Sequence, residues 1–174
     1  VGFDPVMTAI VRISLARKYG VTIGNEMFFP PDKLNTRTRS GMFWLAHEMK
    51  HVAQAQRFGS SQDFLQGYTS TIAKGLLSGN GTNDAYLQSP FETDARAVAS
   101  AFDTLLRREY DLAAALTGQD PDKAVCELVN ANFSAYKAAL VRELGTRERT
   151  TYKFKIGSFP FLFPKTVSYT FYKD

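Results

Sequence analysis

The only two histidines of the chain stand four residues apart, in His47-Glu48-Met49-Lys50-His51. On a helix, positions i and i+4 share one face a turn apart, so both imidazoles can reach a single tetrahedral ion. A glutamate directly after the first histidine can hold a water at that ion and take its proton, which is the chemistry of metal-assisted hydrolysis. The competing reading is a pair of solvated or hydrogen-bonded histidines on an ordinary helix. With both histidines of the chain at ligand spacing, the metal reading is favoured: Zn2+ as cofactor, His47 and His51 as ligands, Glu48 as general base.

The stretch around them has to be helical for this to work. Met42, Leu45, Ala46, Met49, Val52 and Ala53 recur at three- and four-residue spacing and predict a buried helical face, with Trp44, His47, His51 and Ala55 as a second stripe beside it. No Gly or Pro interrupts residues 42–58, and Gly59 is a natural stop.

A catalytic zinc needs a third protein ligand and an open position. Without a third histidine, the candidates are a carboxylate or the single cysteine, Cys126. Cys126 lies in an apolar helical pattern that suits inert burial. Glu92, forty-one residues after His51 at the start of an amphipathic helix, is the favoured ligand. Ser89-Pro90-Phe91-Glu92 also reads as a capping box, in which Glu92 would only reach back to the Ser89 amide. Asp94 is the nearest alternative carboxylate, on the side of the helix away from Phe91 and Ala95.

Around these residues the chain reads as mainly α with small β-portions. Asp4-Pro5 opens a first helix, which Gly20 closes. Val21 to Phe29 alternates β-branched and aromatic residues around Gly24-Asn25 and predicts a short hairpin or a kinked strand pair. Ser60 to Leu77 predicts a helix, Ser78 to Asp84 a loop, Ser89 to about Leu116 a long helix with Phe91, Ala95, Val98, Phe102, Leu105 and Leu106 inward, and Asp120 to about Leu144 one more. From about residue 144 the chain turns β-rich. Tyr152, Phe154 and Ile156 alternate with lysines, as Val167, Tyr169 and Phe171 alternate with hydroxyl residues, predicting a C-terminal hairpin that covers the helical core. Phe159 to Phe163, between those runs, is either its packed connection or an exposed patch for a partner.

Length and composition fit one domain, residues 1–174, of ordinary globular character. No apolar run approaches the ~20 residues of a membrane span. The chain begins at Val1, which suggests a processed form or a piece of a larger protein. From Lys137 onward there are eight basic and three acidic residues, so that segment carries +5 against +4 for the whole chain. No nucleic-acid motif accompanies it, so a solvated basic surface is the preferred reading and nucleic acid is not an expected partner.

Val21-Thr22-Ile23-Gly24-Asn25-Glu26-Met27-Phe28-Phe29 followed by Leu45-Ala46-His47-Glu48-Met49-Lys50-His51-Val52-Ala53-Gln54 resembles the metallopeptidase domain associated with extracellular contractile injection systems and bacterial polymorphic toxins. The close resemblance covers roughly residues 15–57 and extends more weakly to Ser89–Ala95, which is similar to that family's downstream glutamate helix. It implies a zincin-like, gluzincin-like fold, a zinc metallopeptidase acting on a protein or peptide, and a secretion system or larger parent protein as partner, with secretion or delivery by such a system. Thermolysin-like peptidases often place an Asp four residues after the ligand glutamate; here that position is Arg96. A second electrophile for the oxyanion would come from Tyr68, Tyr86 or Arg96. Two rival readings remain: a cargo or binding module on a metallopeptidase fold, and a toxin-like effector in which zinc is structural.

Overall fold

The computed structural model describes residues 5–31, 34–36, 38–117, 120–157 and 165–173. The expected Asp4 cap, the Cys126 side chain and the Phe159–Phe163 connection lie outside the described residues. Within them the chain is mainly helical with a two-stranded antiparallel sheet near each end. In order these are α1 (Pro5–Ala16), β1 (Val21–Ile23), β2 (Glu26–Phe28), α2 (Arg39–Phe58), α3 (Ser61–Leu77), α4 (Thr82–Leu87), α5 (Pro90–Thr117), α6 (Pro121–Ala131), α7 (Phe133–Gly145), β3 (Arg149–Ile156) and β4 (Lys165–Tyr172).

Local chemistry sets most of these boundaries. The Thr38 hydroxyl accepts from the Gly41 amide at the start of α2, and Gly59, left-handed at φ 88°, ends it. Ser60 and Asp120 cap α3 and α6 in the same way, the latter with Pro121 in the first turn. Gly24 adopts φ 61° in the turn of the first hairpin, which pairs Val21 with Phe28 and Ile23 with Glu26.

Among the described residues seven helices form where the sequence predicts about five. Thr82–Leu87, expected as loop and turn, makes a short helix. The last predicted helix divides at Asn132, whose side chain donates to the Leu128 carbonyl and so competes with the helical ladder.

The α2 helix packs chiefly against α5, with α3 alongside and both hairpins against the group. Its buried face is not the one the periodicity suggests. Gly41, Met42, His47, Glu48, His51, Gln54, Ala55 and Phe58 are buried, whereas Met49 is 55% exposed. The polar stripe is inside because it meets polar partners on α5 and the first hairpin.

An aromatic core lies under the C-terminal hairpin: Phe58, Phe64, Phe91, Phe154, Tyr169 and Phe171, with Ala55 and Ile156. Phe91 is at its centre, 4.9 Å from the Phe171 ring and 5.4 Å from that of Phe64. The hairpin register sets Phe154 opposite Val167 and Tyr152 opposite Tyr169, so the alternation turns one face inward as expected, although Tyr152 remains 43% exposed. A second, smaller cluster of Met42, Leu106 and Val125 joins α2, α5 and α6.

Candidate metal centre

Phe91 pins the first turn of α5 into the aromatic core, and the residue after it, Glu92, points at α2. Its two carboxylate oxygens lie 3.3 Å from His47 Nε2 and 3.3 Å from His51 Nε2. The two Nε2 atoms are 3.2 Å apart. A tetrahedral ion with bonds of about 2.0–2.1 Å holds its ligand atoms about 3.3–3.4 Å from one another, so the spacing fits. All three residues are buried, and together they could hold a metal ion. No capping box forms, since the Glu92 carboxylate is engaged here and the Ser89 hydroxyl pairs with Thr71.

The charges respond to this crowding. Burial disfavours the His51 imidazolium, but hydrogen bonding and attraction to Glu92 outweigh it and raise its pKa to about 9. Burial would likewise raise Glu92, yet His47 and His51 hold its carboxyl well below the usual range. A metal ion entering would displace the proton on His51.

His51 is oriented from behind. Its Nδ1 lies 2.8 Å from Gln54 Oε1, and Gln54 Nε2 donates to Asp94 Oδ2 at 2.7 Å and to the Phe91 carbonyl at 3.1 Å. A carboxylate only accepts, so Asp94 fixes which end of the Gln54 amide faces His51. Gln54 then accepts from Nδ1 and leaves Nε2 toward the cluster. Asp94, fully buried, also accepts from the Tyr172 amide at 2.9 Å and pairs with Lys50 at 3.2 Å. The sequence makes Asp94 the alternative carboxylate, on the side of the helix away from Phe91 and Ala95, and has Arg96 where thermolysin-like peptidases often place a supporting Asp. The structure puts the supporting Asp two residues after Glu92 rather than four, and the Arg96 guanidinium on the Leu87 carbonyl. Gln54 stood within the quoted motif; its role had no signal apart from its spacing of three from His51.

Glu48 faces a cavity of about 500 Å³ that also touches His51, Glu92, Tyr68 and Tyr86. The Thr22 hydroxyl donates to Glu48 Oε2 at 2.7 Å and lies 3.2 Å from its backbone carbonyl. A methyl group on Gly20 would come within 2.6 Å of Glu48 Oε1, so that glycine makes room for the carboxylate. Tyr68 donates to Glu92 Oε1 at 2.6 Å. Burial first, and then the charge of Glu92, push both Tyr68 and Tyr86 above the usual phenol range, so both stay protonated donors. Arg96 is not among the residues bordering the cavity.

A buried pair of histidines and a carboxylate, contributed by two helices, could hold a metal ion, and His51, Glu92 and a second carboxylate, Glu48, border the cavity. Residues 15–59 match the model of the eCIS core domain, which associates the chain with extracellular contractile injection systems. That span contains Thr22, His47, Glu48, His51 and Gln54 but ends before Tyr68, Glu92 and Asp94. Neither the curated proteins nor the solved structures give a match to this chain. No helix among the described residues is long and apolar enough to cross a membrane.

Proposed function

We propose that the protein is a zinc-dependent peptidase whose metal is held by His47, His51 and Glu92 and whose general base is Glu48. The observation that carries this is the 3.2–3.3 Å spacing between the two Nε2 atoms and from each of them to one Glu92 oxygen, in three buried residues beside a cavity that Glu48 faces. Two imidazoles and one carboxylate are a donor set suited to catalytic zinc. Bound there, the ion supplies a water of lowered pKa and polarises the substrate carbonyl.

The chain's own groups do the rest. Glu48, held by Thr22 and given room by Gly20, takes the proton of the attacking water and passes it to the leaving amine. Gln54 and Asp94 keep His51 presenting Nε2. Tyr86, a neutral phenol at the cavity wall, supplies the donor for the developing oxyanion, whereas the Tyr68 hydroxyl is engaged by Glu92 and Arg96 does not border the cavity. In keeping with the association with contractile injection systems, the peptidase would be delivered or secreted as an effector or toxin domain of a larger assembly.

The test separates ligand from base. Glu48→Gln should keep its zinc, by elemental analysis, and lose peptide hydrolysis by ~100-fold or more. Glu92→Ala should lose zinc and activity together. Hydrolysis undiminished in Glu48→Gln would leave the cargo or binding-module reading, which the partial match to the eCIS core domain also supports.

A further inference from the structure

The cavity has more to say than where the metal sits. Ile13, Val21, Ile23, Phe64 and Leu65 give the cavity a largely apolar lining, interrupted by hydroxyl and amide side chains. At about 500 Å³ it has room for a large side chain together with adjoining backbone. The charged residues lining it are Glu48, Glu92, His51 and Arg17. The first three are occupied by the proposed chemistry, which leaves Arg17 as the one further charge lining the cavity among the described residues. Arg17 has no ion-pair partner among the described residues.

Its position is fixed by the backbone. The amides of Arg17 and Tyr19 both donate to the Ser14 carbonyl, and Lys18 between them is left-handed at φ 61°. A non-glycine residue in that conformation is costly and persists only where its surroundings demand it. The tight exit turns the chain from α1 into β1 and puts Arg17 and Gly20 on the same cavity. Gly20 adjoins the Glu48 carboxylate. Three residues span at most about 11 Å, so Arg17 reaches a group one to three residues from a bond hydrolysed at Glu48.

We propose that this cavity selects peptides with a large apolar side chain beside the scissile bond and a carboxylate within three residues of it, the carboxylate pairing with Arg17. Bidentate pairing with a guanidinium suits an Asp or Glu side chain and a free C-terminus equally. The inference rests on the peptidase reading for the ligand being a peptide and for its scissile bond lying at Glu48.

Binding is therefore measured on zinc-loaded, full-length Glu48→Gln protein, by calorimetry, so that it does not depend on turnover. Three short peptides with a central Phe are compared: one ending in a free carboxylate, one amidated with an internal Glu, one amidated with neither. Both acidic peptides should bind about tenfold more tightly than the neutral one if the source of the carboxylate is indifferent. Tight binding of the free C-terminus alone assigns the subsite to chain ends, and of the internal Glu alone to acidic side chains. Exchanging Phe for Ser should weaken binding by about tenfold or more. Adding Arg17→Gln should bring the acid-to-neutral ratio close to one, and Arg17→Glu should reverse the preference toward a Lys-containing peptide. Equal binding of acidic and neutral peptides, a preference that survives Arg17→Gln, or no peptide binding at all would overturn the proposal. The peptidase reading fails on a different result, the absence of hydrolysis by wild-type protein across a mixed peptide library.

Discussion

The two hairpins serve the same helix in different ways. The N-terminal one is three residues per strand and touches Glu48 directly, through the Thr22 hydroxyl and the space left at Gly20. The C-terminal one is eight residues per strand, contributes four buried aliphatic and aromatic side chains to the core, and reaches the site only at second hand. Its Tyr172 amide holds Asp94, Asp94 holds Gln54, and Gln54 holds His51. One hairpin thus positions the proposed base, and the other positions a proposed ligand. The residues that set the base all lie within the span that matches the eCIS core domain, while the support of the ligand runs from Gln54, inside that span, to Asp94 and Tyr172, far outside it.

If that division is real, damage to each hairpin should read out differently. The largest effect belongs to Asp94→Ala. It strands Lys50, the Gln54 amide and the Tyr172 amide, and breaking such a buried ion pair costs about 3–5 kcal/mol. At roughly 2–4 °C per kcal/mol for a chain of this size, melting should fall by about 10 °C. Zinc affinity should fall about 10–100-fold with it, as loss of an outer-sphere partner does. Gln54→Leu sharpens the point: a similar loss of zinc affinity with a smaller loss of stability, measured by competition with a chelator and by thermal denaturation.

On the other side, Thr22→Val removes a hydrogen bond to a charged group worth about 1.5–3 kcal/mol. Hydrolysis should drop roughly tenfold or more and melting should fall by about 5 °C, while zinc content stays near wild type. Zinc loss in this variant would erase the distinction between the hairpins.

The smallest expected effect tests how the second hairpin is fastened. Lys165 donates to the Phe58 carbonyl at 3.1 Å and pairs with Asp63, linking the start of β4 to the junction of α2 and α3. The Lys165 hydrogen bond holds the Asp63 carboxyl below its usual value, so the pair stabilises the fold above the unfolded-state pKa and is lost as pH falls through the folded one. Because both groups are partly solvated, Lys165→Met should cost only about 0.2–1 kcal/mol at neutral pH. The gap between variant and wild type in denaturant titrations should close in strong acid, and a gap that widened there would contradict the pairing.

Much of this was legible in the residues because it is local. Two histidines at i and i+4 share a face in any helix, Gly59 and Asp120 bound helices through their own backbone and side chains, and the alternation in Arg149–Ile156 and Lys165–Tyr172 requires a strand with one apolar face. Glu92 could be nominated from its place at the head of an amphipathic helix, but not separated from a capping role, because both uses need the same position.

Which stripe of α2 turned inward was decided only by what packed on it. Periodicity counts Met49 and Val52 as core, whereas the helix buries His47, Glu48, His51 and Gln54, because α5 and the first hairpin bring them partners that a lone helix does not have. The same holds for Asp94, whose neighbours lie 40 and 78 residues away along the chain. Arg17 likewise became a candidate only when the turn at Lys18 set it beside the cavity. Spacing along a helix is fixed by its pitch. Polar burial depends on partners brought from elsewhere in the chain, and the tertiary fold alone supplies them.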